Sequence, residues 1–122
     1  MAIQKILIVD DSPTERYYLT DILVRNGFSV STADNGADAL EKIRAERPQL
    51  ILMDVVMPGA NGFQVTRSIA RDPELSAVPV IICSSKNQET DRIWGMRQGA
   101  KDYFVKPVDP AQLLARIATL GT

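Results

Sequence analysis

The feature that most constrains this chain is a series of five short apolar runs separated by segments with helical periodicity. The first run, Ile6-Leu7-Ile8-Val9, is rich in β-branched residues and too short for a helix, so it predicts a buried strand. The later runs predict strands at residues 28–33, 50–53, 80–83 and 103–105. Helices are predicted to begin at Pro13, after Gly36, near Phe63, near Gln88 and at Pro110.

Strands that alternate with helices along the whole chain predict an α/β fold with a parallel sheet and helices on both faces. Right-handed crossovers leave few topologies, and five strands suit the doubly wound order 2-1-3-4-5. The second strand alternates polar and apolar residues, which favours a position at or near a sheet edge. Residues 1–122 contain no linker, repeat or low-complexity segment, so one domain is predicted.

Local signals support the first two helices. Ser12 is a predicted N-cap, Pro13 suits the first helical position, and Glu15 is predicted to complete a capping box. In the second helix, Ala37, Leu40 and Ile43 form the predicted buried stripe.

Composition excludes several classes of function. Fourteen basic and fifteen acidic residues give a net charge of -1, which offers no electrostatic case for nucleic acid or an anionic membrane. No apolar stretch reaches the roughly 20 residues that cross a bilayer. The chain has no histidine, so His-dependent catalytic triads and His-ligated zinc sites are excluded. Cys83 is the only cysteine; we interpret it as an inert core residue and predict a cytoplasmic protein.

Polar residues end four of the predicted strands. Strand one is followed by Asp10 and Asp11, strand three by Asp54, strand four by Ser84 and strand five by Lys106. Ligands of such sheets bind beyond the carboxyl ends of the strands, where the strand order reverses. Clustered carboxylates repel one another unless a cation joins them, and hard oxygen ligands suit Mg²⁺. One carboxylate could then attack a phosphoryl group, with a lysine charge and a serine hydroxyl beside it.

Each of these residues has a simpler interpretation when it is taken alone. Asp10 and Asp11 could merely favour a helix N-terminus, and Asp54 could begin a turn. Ser84 could be a cap or turn residue, and Lys106 a solvated lysine. All five lie at predicted carboxyl ends of strands, and this joint placement favours a functional site over chance.

At these residues the chain resembles the receiver domain of two-component response regulators. The resemblance covers essentially the whole chain and rests on four signatures: the segments at 8–12 (IVDDS), 52–59 (LMDVVMPG) and 103–107 (YFVKP), and Ser84 after strand four. It implies the flavodoxin-like, CheY-like fold and a phospho-acceptor rather than an enzyme, with at most self-phosphorylation and self-dephosphorylation. It also implies a histidine kinase as phosphodonor.

The resemblance further implies a role for each site residue. Asp54 would be the phosphorylation site, Asp11 a direct Mg²⁺ ligand and Asp10 a ligand through water, with the carbonyl of Val56 completing the protein ligands. Ser84 would bind the phosphoryl group, and Lys106, which precedes a cis Pro107, would pair with it. Tyr103 would be the switch aromatic that moves inward on activation, although it could also be a half-exposed strand residue. Val56 and Lys86 stand where the family tunes phosphoryl lifetime.

The predicted output is a change in protein contacts on the face formed by helix four, strand five and helix five. Residues 85–103 and 10–15 are similar to PilH-type regulators, which are stand-alone receivers in a chemosensory system for type IV pili and twitching motility. A phosphate sink for a sister regulator is an alternative role. We interpret Trp94 as packing on its own helix and neighbours, with a partner anchor as the alternative.

Two other classes of function can be compared with this one. An aspartate-nucleophile phosphatase of the haloacid dehalogenase type needs a general acid two residues after the nucleophile, where this chain has Val56. A flavin binder needs a hydroxyl- and glycine-rich phosphate loop after strand one, where Asp10 and Asp11 would repel a phosphate.

Overall fold

The computed structural model of the protein describes residues 2–57 and 61–121. Strands and helices alternate in the order β1 Lys5–Val9, α1 Pro13–Arg25, β2 Ser29–Ala33, α2 Gly36–Glu46, β3 Leu50–Met53, α3 Gly62–Arg71, β4 Val80–Ser84, α4 Glu89–Arg97, β5 Asp102–Val105 and α5 Pro110–Leu120. The proline and glycines of residues 55–62 predict a loop between β3 and α3, and three of its residues, Pro58, Gly59 and Ala60, lie outside the described residues.

All strand pairs are parallel, and the sheet order is β2-β1-β3-β4-β5. The predicted α/β fold and strand order are therefore confirmed. The half-polar strand β2 lies at the edge of the sheet, whereas β1, β3 and β4 are buried on both faces, as their continuous apolar sequences require.

Alternate residues of each central strand point to opposite faces of the sheet, so the core has two layers. In one layer, Ile8 and Leu52 pack with residues of α1 and α5. In the other, Leu7 and Ile51 pack with residues of α2 and α3. Cys83 lies in the first layer and is buried, as predicted; burial raises the pKa of its thiol to about 12, so the thiol stays protonated and inert.

Three local predictions need correction. The stripe of α2 buries Ala39 and Ile43, whereas Ala37 is exposed, because the helix begins at Gly36 and turns that position to solvent. Trp94 is 49% exposed, so its ring does not pack fully against its own helix and neighbours. Glu15 does not complete a capping box with Ser12, because the Ser12 amide donates to Oδ1 of Asp10 instead. Within the described residues, no helix is both long and apolar enough to cross a membrane.

Candidate functional site

The parallel sheet brings the ends of β1 and β3 side by side. The Asp10 amide donates to the Ala33 carbonyl at 3.0 Å, and the Asp54 amide donates to the Val9 carbonyl at 2.9 Å. These bonds extend the strand ladders by one residue, so the backbone of each aspartate is held in register with the neighbouring strand. The two side chains consequently leave the sheet at the same edge.

Three carboxylates meet at this edge. Asp10, Asp11 and Asp54 each offer an oxygen, and these oxygens all lie within 4.8 Å of one another. Asp10 and Asp54 are only 2% and 6% exposed, whereas Asp11 faces solvent. Burial, followed by the negative charge of Asp10, raises the pKa of Asp54 above its ordinary value. Lys106 and backbone N–H groups oppose this increase without cancelling it.

Lys106 lies between the two buried carboxylates. Its Nζ is 2.7 Å from Oδ2 of Asp10 and 3.6 Å from Oδ1 of Asp54. Burial lowers the pKa of Lys106, but the hydrogen bond to Asp10 and the negative charges of both aspartates outweigh burial. The net pKa is raised above its ordinary value, so the ammonium stays charged. The Lys106–Pro107 peptide bond is cis, as predicted.

Asp10 also organises the start of α1. Its Oδ1 accepts the Ser12 amide at 2.9 Å, and its backbone carbonyl accepts Nη1 of Arg16 at 2.7 Å. The hydroxyl of Ser12 accepts the Glu15 amide at 3.3 Å, so Ser12 is the N-cap. The reciprocal half of the predicted capping box is absent because the Ser12 amide donates to Asp10 instead of to Glu15.

Glu15 and Arg16 are site neighbours that the sequence analysis did not identify. Oε2 of Glu15 is buried without a hydrogen-bond partner among the described residues, and its negative charge contributes to the raised pKa of Lys106. The helical spacing from Ser12 would place both residues in the first turn of α1, above the end of β1. Their distance from the carboxylates depends on the tertiary fold.

Ser84 and Tyr103 both form a hydrogen bond with the backbone of the same loop residue, Lys86. Oγ of Ser84 accepts the Lys86 amide at 3.1 Å, and the Tyr103 hydroxyl donates to the Lys86 carbonyl at 2.8 Å. Ser84 is fully buried, and Tyr103 is only 3% exposed within a core cluster that includes Val55. Tyr103 is therefore not the half-exposed strand residue of the alternative interpretation; its ring already points inward.

Gly62 contacts the backbone of Asp54 from the first turn of α3. Its amide donates to the Val55 carbonyl at 3.0 Å, and Oδ1 of Asp54 accepts the Val55 amide at 2.9 Å. A Cβ atom at residue 62 would lie 1.9 Å from the Asp54 carbonyl oxygen, so only glycine fits. In the sequence, Gly62 is only one of the glycines that indicate a loop before α3, and nothing in the Asn61-Gly62 pair alone indicates this close contact.

The donor set fits a divalent cation. The cluster offers only hard carboxylate oxygens, and one of its members is open to solvent, which suits an ion that retains water ligands. Lys106 already neutralises part of the charge, so an ion would share Asp10 and Asp54 with it. The side chain of Val56 is exposed, and its carbonyl as a metal ligand remains a prediction.

The sequence and the fold of this chain are similar to those of known proteins. Residues 6–118 match the family described as the response regulator receiver domain. Protein PilH of Pseudomonas aeruginosa is 57% identical over 93% of both chains. The DNA-binding response regulator MtrA of Mycolicibacterium smegmatis is 39% identical over 93% of this chain, which spans 49% of that protein. The structure of Vibrio cholerae chemotaxis protein CheY4 superposes with a TM-score of 0.88 at 29% identity, covering 98% of this chain and 99% of that chain.

Proposed function

This chain belongs to the response regulator receiver domain family, and we propose that it is a phospho-acceptor whose acceptor is Asp54. Receiver domains take phosphoryl groups from histidine kinases and act on downstream targets, and they are generally not enzymes. The proposal extends over residues 1–122 as one receiver domain. At most, the chain would promote its own phosphorylation and dephosphorylation.

One observation carries the proposal: Asp54 is a buried carboxylate with a raised pKa, 3.6 Å from the partly buried ammonium of Lys106 and beside two further carboxylates. Such an environment disfavours an isolated charge on Asp54 and favours a state in which the charge is shared with a cation or a phosphoryl group. A purely structural aspartate would gain nothing from Asp10 and Asp11 at this distance.

The transfer requires an external donor because the chain contains no histidine. A carboxylate oxygen of Asp54 would attack phosphorus while the P–N bond of a phosphohistidine on the kinase breaks. The released imidazole nitrogen keeps the bonding electrons and takes up a proton. Mg²⁺ held by Asp10, Asp11, Asp54 and the Val56 carbonyl would neutralise charge on the phosphoryl oxygens.

Lys106 and Ser84 would then bind the phosphoryl group. Nζ of Lys106 needs only to exchange its hydrogen bond to Asp10 for one to a phosphoryl oxygen on the neighbouring Asp54. The Ser84 hydroxyl would have to release the Lys86 amide to turn toward the phosphoryl group. Because the Tyr103 hydroxyl binds the carbonyl of Lys86, this movement would reach Tyr103 through one residue.

The output would leave through the face of α4, β5 and α5, by altered contacts with a downstream protein. The elements α4 and β5 expose large apolar side chains, which are the type that partner proteins cover: Trp94, Met96 and Val105. The proposed partner at this surface is therefore a protein, and the output involves no nucleic acid and no insertion into a membrane. The half-exposed ring of Trp94 supports its alternative interpretation as a partner anchor.

The similarity to PilH supports a cytoplasmic role in a chemosensory system for type IV pili and twitching motility. A role as phosphate sink for a sister regulator uses the same chemistry at Asp54 but no output face. An aspartate-nucleophile phosphatase is disfavoured because Val56 stands where that class places its general acid.

Phosphorylation can be tested by incubating the protein with acetyl phosphate and Mg²⁺ and measuring its intact mass. The wild type should gain one phosphoryl group, and Asp54→Asn should gain none because an amide is not a nucleophile. Asp34→Asn, an exposed aspartate that follows β2 at the same edge of the sheet, is the matched control and should label like the wild type. Full labelling of Asp54→Asn, or turnover of acetyl phosphate by the wild type as by an efficient phosphatase, would refute the proposal.

A further inference from the structure

A second charged site lies between the ends of α3 and α4, outside the carboxylate cluster. Arg67, Arg71 and Arg97 line a cleft of about 360 Å³ together with Ala70, Gln98 and Gly99. All three arginines are exposed, and none of the described residues that line the cleft is acidic. Three positive charges therefore lie together on a protein whose net charge is -1.

The arginines of the cleft have no partners among the described residues. Elsewhere in the chain, arginine side chains form hydrogen bonds or ion pairs at Arg16, Arg25, Arg44, Arg92 and Arg116. Within residues 2–57 and 61–121, Arg67, Arg71 and Arg97 form neither, and only Arg47 shares this property outside the cleft. The described residues thus pair five of the six arginines outside the cleft, whereas all three arginines of the cleft are left without a partner.

The cleft is formed by the close approach of the end of α4 to α3, which depends on Gly99. Gly99 has a φ of 111°, a conformation that side chains rarely tolerate, and it ends α4. A Cβ atom at residue 99 would lie 2.7 Å from Cβ of Ala70, so glycine lets the end of α4 approach α3 closely. This approach places Arg97 on one side of the cleft and Arg67 and Arg71 on the other.

The cleft lies at the opposite edge of the sheet from Asp54. Gly99 precedes β5, and the next residues begin the strand pairing: the Lys101 amide donates to the Val80 carbonyl at the start of β4, at 2.7 Å. Asp54, by contrast, follows the carboxyl end of β3. A ligand in the cleft would therefore leave the phosphoryl site open.

We propose that this cleft docks an acidic peptide segment of a partner protein. Guanidinium groups bind carboxylates through paired hydrogen bonds, and three of them around one cleft can hold neighbouring Asp or Glu side chains. Ile93 lies one helical turn before Arg97 and is 46% exposed. An apolar residue of the peptide, next to its acidic residues, would pack against the Ile93 side chain.

A peptide fits this site better than a polyanion does. Nucleic acid and anionic membranes carry many negative charges over an extended surface. They would therefore also lie against acidic residues outside the cleft, which repel them, because the protein has a net charge of -1. A short segment needs complementarity only at the cleft. The inference stands on the cleft's own geometry and holds whether or not Asp54 is phosphorylated.

The test uses a synthetic end-blocked peptide of glutamate and leucine, with a second peptide in which glutamine replaces every glutamate. Amide NMR shifts of the full chain should move at Arg67, Ala70 and Gly99 with the acidic peptide and not with its neutral analogue. The triple variant Arg67→Gln/Arg71→Gln/Arg97→Gln should bind the acidic peptide at least about tenfold more weakly, because several charge-assisted hydrogen bonds are lost.

Arg47→Gln is the matched control, since Arg47 is unpaired and exposed but lies away from the cleft. It should bind like the wild type, and all variants should keep their melting temperature and their acetyl-phosphate labelling. Equal weakening by Arg47→Gln, or shifts away from the cleft, would overturn the proposal. Tighter, cleft-dependent binding of single-stranded DNA or phosphatidylglycerol vesicles would also overturn it, in favour of that other partner.

Discussion

The Nζ atom of Lys106 lies 2.7 Å from Oδ2 of Asp10, so before any phosphoryl transfer the lysine is bonded to the aspartate that is not the proposed acceptor. Asp10 holds Lys106 beside Asp54 without using the acceptor itself. The same bond neutralises a carboxylate that would otherwise be buried and unpaired.

Lys106→Met should lower the free energy of unfolding by about 3 kcal/mol, because it leaves Asp10 and Asp54 buried without their cation. Urea denaturation at neutral pH without Mg²⁺ measures the change. Arg25→Met removes a cation from the exposed ion pair with Asp21 and should have almost no effect. Equal effects of the two substitutions would show that Lys106 contributes no more than a surface charge.

Asp54→Asn should stabilise the metal-free protein, and the gain should depend on pH. The folded pKa of Asp54 is raised, so the folded protein binds this proton more tightly than the unfolded chain does. The wild type therefore loses stability as pH rises from about 4 through the folded pKa. The variant lacks this loss, so its advantage should be absent at low pH and constant above the folded pKa. Thermal unfolding of both proteins across this pH range measures the difference in stability. A stabilisation by Asp54→Asn that is largest at low pH would contradict a raised pKa of Asp54.

Asp11→Asn should weaken Mg²⁺ binding while leaving stability without metal nearly unchanged. Asp11 contributes one of the three carboxylates, but it is exposed and has no buried partner to lose. Calorimetric titration with Mg²⁺ gives the affinity, with Asp34→Asn as the control. Unchanged affinity in Asp11→Asn would place the ion elsewhere.

Tyr103→Phe should uncouple the site from the loop after β4 with little effect on the core. The substitution removes the hydrogen bond to the Lys86 carbonyl and should cost about 1 kcal/mol of stability. Labelling of Asp54 should persist, whereas NMR shifts on phosphorylation should no longer reach α4 and β5. Tyr103→Ala is a less informative variant because the buried ring would leave a cavity. Unaltered spread of the shifts in Tyr103→Phe would exclude the hydroxyl from the switch.

Gly62→Ala should damage the acceptor itself, although residue 62 bears no functional group. Its Cβ would lie 1.9 Å from the Asp54 carbonyl oxygen, so the loop or α3 must move. Stability should fall by more than about 1 kcal/mol, and acetyl-phosphate labelling should slow. Ser68→Ala, an exposed substitution in the same helix, is the control. Wild-type labelling in Gly62→Ala would show that the backbone of Asp54 tolerates displacement.

The sequence by itself determined the elements and the edge of the sheet at which chemistry gathers. Short β-branched runs can only be strands, and the alternation with helices requires parallel strands whose carboxyl ends share one edge. The aspartates after β1 and β3 therefore had to meet, and Cys83 within an apolar strand had to be buried. These conclusions follow from local periodicity and chain connectivity.

Only the tertiary structure decided which groups pair across that edge. Ser12 gives its amide to Asp10 rather than to Glu15, Tyr103 reaches the carbonyl of Lys86, and Gly62 contacts the backbone of Asp54. The cleft of Arg67, Arg71 and Arg97 likewise joins residues far apart in sequence. Such contacts depend on how helices settle against the sheet to within an ångström or two, and the periodicity of a sequence carries no information at that scale.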